Sequence, residues 1–222
     1  MKIFLDTASL PDILWATGAG LIDGVTTNPT LLAQEDADTD PRDHLVEITR
    51  SVSGPVGAEV VAVDAEGMYR EGKDLAKVAD TIVVMVPMLE DGIIATRRLA
   101  SEGIRVCTTL VFTPAQAMLA AKSGARYVSP FVGRLEDIAQ DGISVVQQTR
   151  EIFAHYELEC EILAASLRTP LHFIGCARAG ADAATVPPSV LRTMLVHPLT
   201  DRGVDQFLHD WSKRVARSRA GV

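Results

Sequence analysis

An acidic side chain inside an otherwise apolar run is costly to bury unless it is paired or functional. Two residues fit that description: Asp6 closes KIFLD at 2–6, and Glu59 interrupts VGAEVV at 56–61. Brought to one site, two carboxylates can move protons or orient a reacting group. A helix cap is the competing role for Asp6, whereas Glu59 within GAEVV reads as functional. Hydroxyls and one amide cluster at similar places: Thr26, Thr27 and Asn28 in GVTTN, Thr108 and Thr109 in RVCTTLV, and Ser166 in EILAAS. Arg134 in SPFVGR, with Ser166 and Arg168 in AASLR, supplies two guanidinium groups and a hydroxyl, which is the chemistry of a phosphate clamp. Two surface arginines in ordinary salt bridges are the alternative. The histidines, His44, His155, His172, His197 and His209, show no ligand spacing, and Cys107, Cys160 and Cys176 form no CxxC pair. Neither a metal site nor a disulfide framework is expected.

Positioning these groups requires elements that end on one face. Eight short β-type runs start at residues 2, 24, 56, 81, 105, 127, 161 and 183, between 22 and 34 residues apart. Each interval leaves room for one helix and two short loops. The runs are almost continuously apolar, as parallel strands covered on both faces should be. Helix punctuation lies between them, most clearly in TPAQAMLAAKSG: Thr113 is an N-cap, Pro114 takes the first helical position, Gln116 completes a capping box and Gly124 ends the helix. Ser9 with Asp12 repeats the pattern. Eight βα units predict an α/β fold, a single-domain (β/α)8 TIM barrel over residues 1–222. A doubly wound open sheet is the runner-up, but neither a GxGxxG nor a P-loop pattern follows any run, and TGAGLIDG at 17–24 precedes one. In a barrel the strand ends share one mouth, so the polar residues above converge there. Past the eighth unit, Val204, Phe207, Leu208, Trp211 and Val215 recur at helical spacing. They predict an amphipathic C-terminal helix over about 200–217, packed on its own barrel or on a neighbouring subunit.

The formal charge of −8, from 21 basic and 29 acidic residues, argues against a nucleic-acid partner. The locally basic tail Lys213, Arg214, Arg217 and Arg219 reads as a solvated helix end. The apolar run in MKIFLDTASLPD is too short for a signal-peptide core or a membrane span, so a cytoplasmic protein with no membrane partner is expected.

LDT at 5–7, GVTTNPT at 24–30, GAEVV at 57–61, TTLVFTPAQAMLAAKSGARYVSPFVGR at 108–134 and AASLR at 164–168 together resemble the small transaldolases and the related fructose-6-phosphate aldolases. The resemblance covers nearly the whole chain. It implies transfer of a dihydroxyacetone unit from fructose 6-phosphate, or sedoheptulose 7-phosphate, to an aldose phosphate, in the pentose phosphate pathway and without a cofactor. It also implies a homo-oligomer, a pentamer or decamer.

Members of this family form a Schiff base through a lysine in a context like VVKVP. Here the stretch reads IVVMVP, and the lysine position is Met85. A thioether has no nucleophilic nitrogen and cannot form an imine. The five lysines, Lys2, Lys73, Lys77, Lys122 and Lys213, are not expected to reach the mouth. By resemblance, Asp6 acts in proton transfer, Glu59 with Thr109 holds the water of imine formation, and Thr26, Thr27 and Asn28 line the donor-sugar site. Arg134, Ser166 and Arg168 match the phosphate-binding positions. Glu59 and Phe131 match the transaldolase branch, where the aldolase branch has Gln and Tyr. Losing only the nucleophile fits a deliberate Lys→Met change better than a decayed enzyme. A fructose-6-phosphate aldolase-type enzyme and a natural, non-catalytic sugar-phosphate-binding protein are the alternatives.

Overall fold

The computed structural model describes residues 1–35 and 40–220. In chain order the elements are β1 (Lys2–Asp6), α1 (Leu10–Gly18), β2 (Gly24–Thr26), α2 (Pro29–Leu32), α3 (Pro41–Ser51), β3 (Val56–Glu59), α4 (Ala65–Ala76) and β4 (Ile82–Pro87). They continue as α5 (Glu90–Ser101), β5 (Val106–Val111), α6 (Pro114–Lys122), β6 (Tyr127–Pro130), α7 (Val132–Glu136), α8 (Gly142–His155) and β7 (Glu161–Ala164). α9 (Pro170–Arg178), β8 (Ala183–Val186), α10 (Pro188–Met194) and α11 (Pro198–Ala220) complete the chain. The eight strands close in sequence order, every neighbour parallel, including β1 with β8. The architecture is the (β/α)8 barrel expected from the spacing of the apolar runs, not an open sheet.

Period-two alternation splits each strand between two cores. Val83 and Met85 join Phe4, Cys107, Tyr127, Leu163 and Ala183 in one buried cluster inside the barrel. Leu5, Val25, Val56, Val84 and Val86 face the other way, into the layer shared with the helices. That double coverage is why the runs read as continuously apolar.

The helices start with one device repeated. Ser9, Asn28, Asp40, Asp64, Thr113, Asp141 and Thr169 each accept a first-turn backbone N–H through the side chain. Gln116 reaches back as expected of a capping box, but to the N–H of Phe112 at 2.8 Å, one residue before the cap. Gly124, at φ 98°, supplies the left-handed turn after α6. Several strands stop short of their sequence runs: Thr27, Asn28, Val60, Val61, Phe131 and Ser166 fall beyond them. At these ends the chain leaves the ladder to build the rim.

The opposite mouth is closed by charge. Glu161 Oε2 lies 2.9 Å from Lys2 Nζ, and Arg126 pairs with the same carboxylate. Asp23 and Asp182 accept the backbone N–H of Ile3 and Ile162, at 2.8 and 2.7 Å.

The C-terminal helix is longer than the expected 200–217. It does not bury its apolar residues on its own barrel: Phe207 is 74% exposed and Trp211 64%. Lys213 and Arg214 are solvated, and the side chains of Arg217 and Arg219 lie outside the described residues. Among the described residues no helix is long and apolar enough to cross a membrane.

Candidate active site at the C-terminal mouth

Asp6 ends β1 directly beside Thr26 of β2. Thr26 Oγ1 donates to Asp6 Oδ1 at 2.9 Å and lies 2.5 Å from Thr185 Oγ1 on β8. A hydroxyl has one proton, so Thr185 donates to Thr26 while Thr26 donates to Asp6. The cap of the following helix is Ser9, which removes the competing role for Asp6. Glu59 ends β3 and accepts a 2.7 Å hydrogen bond from Thr109 Oγ1, which reaches across from β5. Burial pushes both carboxyls up from their ordinary pKa, against the hydrogen bonds from Thr26 and Thr109 that favour the anions. The nearby Arg134 charge also pulls Glu59 down, and the Asp6 charge pushes it up.

β4 runs between β3 and β5, the strands that carry Glu59 and Thr109. Met85 pairs in register with Glu59 on one side and Cys107 on the other, and is only 6% exposed. Its sulfur fills the space that a side chain on Gly57 would need: a Cβ there would lie 2.6 Å from Met85 Sδ. On β5, Leu110 is left-handed at φ 54° and the pairing shifts between Thr108 and Val111. Such a bulge at a barrel rim re-aims neighbouring side chains, here those flanking Thr109.

Because burial raises the Asp6 pKa, the folded protein holds this proton to higher pH than the unfolded chain does. Its stabilising contribution is therefore complete below the ordinary Asp pKa and is lost as pH rises through the folded value. Asp6→Asn is expected to raise stability at neutral pH by about 1 kcal/mol, the scale on which an incompletely satisfied buried polar group is felt, and to change little in acid. Urea midpoints measured across the pH range check this, and a lower midpoint for the variant at neutral pH would contradict it.

The anion-binding candidates come from two adjacent connections. Phe131 stands at the start of α7, and the Arg134 guanidinium lies 4.9 Å from the centre of its ring. Ser166 follows β7 in the left-handed region at φ 59°, a conformation uncommon outside glycine. Gly133 makes room for it: a Cβ there would collide with the Ser166 carbonyl oxygen. Arg168 forks onto Asp137, so this arginine does form the salt bridge weighed as the alternative to a clamp. Among the described residues no carboxylate pairs with Arg134 within salt-bridge distance.

Thr27 is buried with no partner for its hydroxyl. The carbonyl oxygen of Asn28 caps α2 through the N–H of Leu31, 3.1 Å away, leaving its NH2 group free of that role. Two polar residues were missed in the sequence. Thr185 supports Thr26 from a run read only as a strand, and Ser129 is fully buried with an unpartnered hydroxyl. Ser129 stands two residues from inward-facing Tyr127 on β6, and that alternation in YVSPFV was the available signal. The lysines are elsewhere: Lys2 at the opposite mouth, Lys73 paired with Glu102, Lys77 with Asp74, Lys122 ending α6 and Lys213 on α11. Among the described residues no three His, Cys, Asp or Glu side chains are grouped to hold a metal ion.

The family described as transaldolase/fructose-6-phosphate aldolase matches residues 3–218. The chain belongs to this family. Similar members include the "Probable transaldolase" of Nitrosopumilus maritimus, 53% identical over 214 residues and 96% of each chain. Another, of the same description, from Bdellovibrio bacteriovorus, is 50% identical over 215 residues, covering 96% of this chain and 98% of the other. Two solved structures share the fold at low identity. One, described as "Native KDPGal structure", has a TM-score of 0.55 at 16% identity and covers 83% of this chain and 80% of that one. The other is a cube-shaped protein cage designed by fusing symmetric oligomeric domains, with a TM-score of 0.59 at 14% identity over 98% and 78% of the two chains. In this transaldolase/aldolase family member, Met85 stands on the β4 wall of the barrel, paired in register with Glu59 and Cys107.

Proposed function

We propose that this chain is a transaldolase scaffold of the pentose phosphate pathway that binds ketose phosphates and is stopped before the covalent step. The observation that carries the reading is the pair of buried carboxyls at the strand ends, Asp6 and Glu59, both raised in pKa by burial, with Glu59 in register beside Met85 on β4. In the transfer reaction the lysine amine at that position attacks the ketone of fructose 6-phosphate or sedoheptulose 7-phosphate. Water leaves as the imine forms, and Glu59 with Thr109 holds that water. Asp6 takes the proton of the hydroxyl whose carbon–carbon bond breaks, and its raised pKa suits it to hold that proton. Thr26, relayed by Thr185, keeps Asp6 aimed, while Thr27 and the amide of Asn28 meet the donor hydroxyls. Phe131 offers no hydroxyl to admit a second, hydrolytic use of water, which favours transaldolase over aldolase. Arg134, Ser166 and Arg168 take the phosphate.

Met85 leaves binding intact and removes the electron pair that starts the chemistry. The chain as it stands is expected to give no borohydride-trapped adduct with fructose 6-phosphate by intact mass. An adduct would mean that another lysine reaches the ketone.

The same reading makes the protein a cytoplasmic homo-oligomer, a pentamer or decamer. Its three free cysteines suit a reducing compartment, and the exposed Phe207 and Trp211 on α11 suit burial against a second copy. Light scattering is expected to give a mass several times that of one chain, and Trp211→Glu with Phe207→Glu to reduce it. A monomer at micromolar concentration would refute the assembly.

A further inference from the structure

α7 ends on two carboxylates, Glu136 and Asp137, and both cross to the segment after β7. The two Asp137 oxygens accept from Nη1 and Nη2 of Arg168, the second at 2.5 Å. Glu136 Oε2 lies 2.7 Å from His172 Nε2, and the Arg168 backbone N–H donates to His172 Nδ1 at 3.2 Å. The imidazole therefore accepts at Nδ1 and presents the Nε2 proton to Glu136. Two backbone bonds close the brace, Val132 N–H to Ala165 O at 3.0 Å and Gly133 N–H to Ser166 O at 3.1 Å.

This arrangement divides the guanidinium. Its terminal nitrogens are committed to Asp137, while its Nε lies beside Gly133. A Cβ on Gly133 would lie 2.2 Å from the Ser166 carbonyl oxygen, 3.0 Å from Arg168 Nε and 3.2 Å from Ser166 Oγ, so both donors pack close to the Gly133 backbone and to each other. An unpaired arginine this exposed would sample many rotamers, and ordering it would weaken any anion contact it makes.

We infer that Asp137 is a positioning residue for anion binding, fixing Arg168 so that its Nε edge and the Ser166 hydroxyl face one phosphate group, with Glu136 and His172 steadying the same segment. This rests on the proposed phosphate role of Arg134, Ser166 and Arg168. Asp137 acts through Arg168 and does not touch the anion. Stability gives little reason to keep such a pair, because both side chains are about half exposed, 49% and 50%, and exposed ion pairs add little.

The test is calorimetric titration of inorganic phosphate, fructose 6-phosphate and fructose into the full chain and its variants at one salt concentration. Asp137→Asn is expected to weaken phosphate and fructose 6-phosphate about five- to tenfold, the scale of coupling between contacting groups, and to leave fructose unchanged. Asp137→Glu, which keeps the carboxylate, is expected to restore most of the loss, while the melting temperature moves little in either variant. Equal or tighter phosphate binding by Asp137→Asn would overturn the inference, since Asp137 would then be a bystander or a competitor of the anion. A drop in melting temperature with phosphate affinity unchanged would overturn it equally, by making the pair structural. Arg168→Ala separates the two levels: undiminished phosphate affinity there would overturn the phosphate-site reading, and the inference with it.

Discussion

Met85→Lys is expected to turn a chain that borohydride cannot tag into one that fructose 6-phosphate and borohydride label at residue 85. Three-carbon transfer to an aldose phosphate should appear with it. The gain should be on the order of 10⁴-fold or more, comparable with the loss when a covalent nucleophile is removed from an otherwise intact site. The reason is local. Met85 is nearly enclosed on β4, in register with Glu59, so an amine at the end of a side chain of similar length would meet the same carboxyls. Burial lowers a lysine pKa and raises the fraction of free amine, which is the reactive form. The same desolvation should make the Met85→Lys variant less stable by about 1–3 kcal/mol, visible as a lower denaturant midpoint. A well-folded variant that stays unlabelled would sink the reading of this site as a transaldolase site lacking its nucleophile. It would favour a sugar-phosphate-binding protein in its place.

The second large effect belongs to the arginines. Arg134→Ala and Arg168→Ala are each expected to weaken fructose 6-phosphate binding about 10- to 100-fold, the worth of one charged hydrogen-bonding partner. Fructose itself should bind as before. The loss at Arg134 should be the larger, because Arg168 already shares its charge with Asp137 and Arg134 has no such partner among the described residues. The Arg134 charge also pulls the Glu59 pKa down against burial, so its removal should raise that pKa further. Titration of both ligands against both variants checks this. Parallel losses for fructose and fructose 6-phosphate would show that the arginines hold the fold and not a phosphate.

Much of this was legible in the chain. All eight strands lie within the apolar runs, because parallel strands covered on both faces need apolar residues at nearly every position. Asp6 and Glu59 announced themselves as charges that such strands do not tolerate without cause. What could not be read was facing. Val84 and Met85 are neighbours of similar polarity, yet one enters the helix layer and the other the mouth. A one-residue change of register would exchange them. Thr185 was passed over for that reason, since a hydroxyl in an apolar run has the same composition whether it faces the mouth or the helices, and only the alternation from Tyr127 pointed to Ser129.

By itself, then, the sequence determined the strands, the capped helices and the family, all of which follow from residue type and short-range spacing. Only the tertiary structure decided that Thr185 supports Thr26, that Thr109 spans β4 to reach Glu59, that Asp137 takes the fork of Arg168, and that α11 leaves its apolar face uncovered. Those pairings join residues up to 159 positions apart, and they exist only because barrel closure brings distant strand ends to one rim.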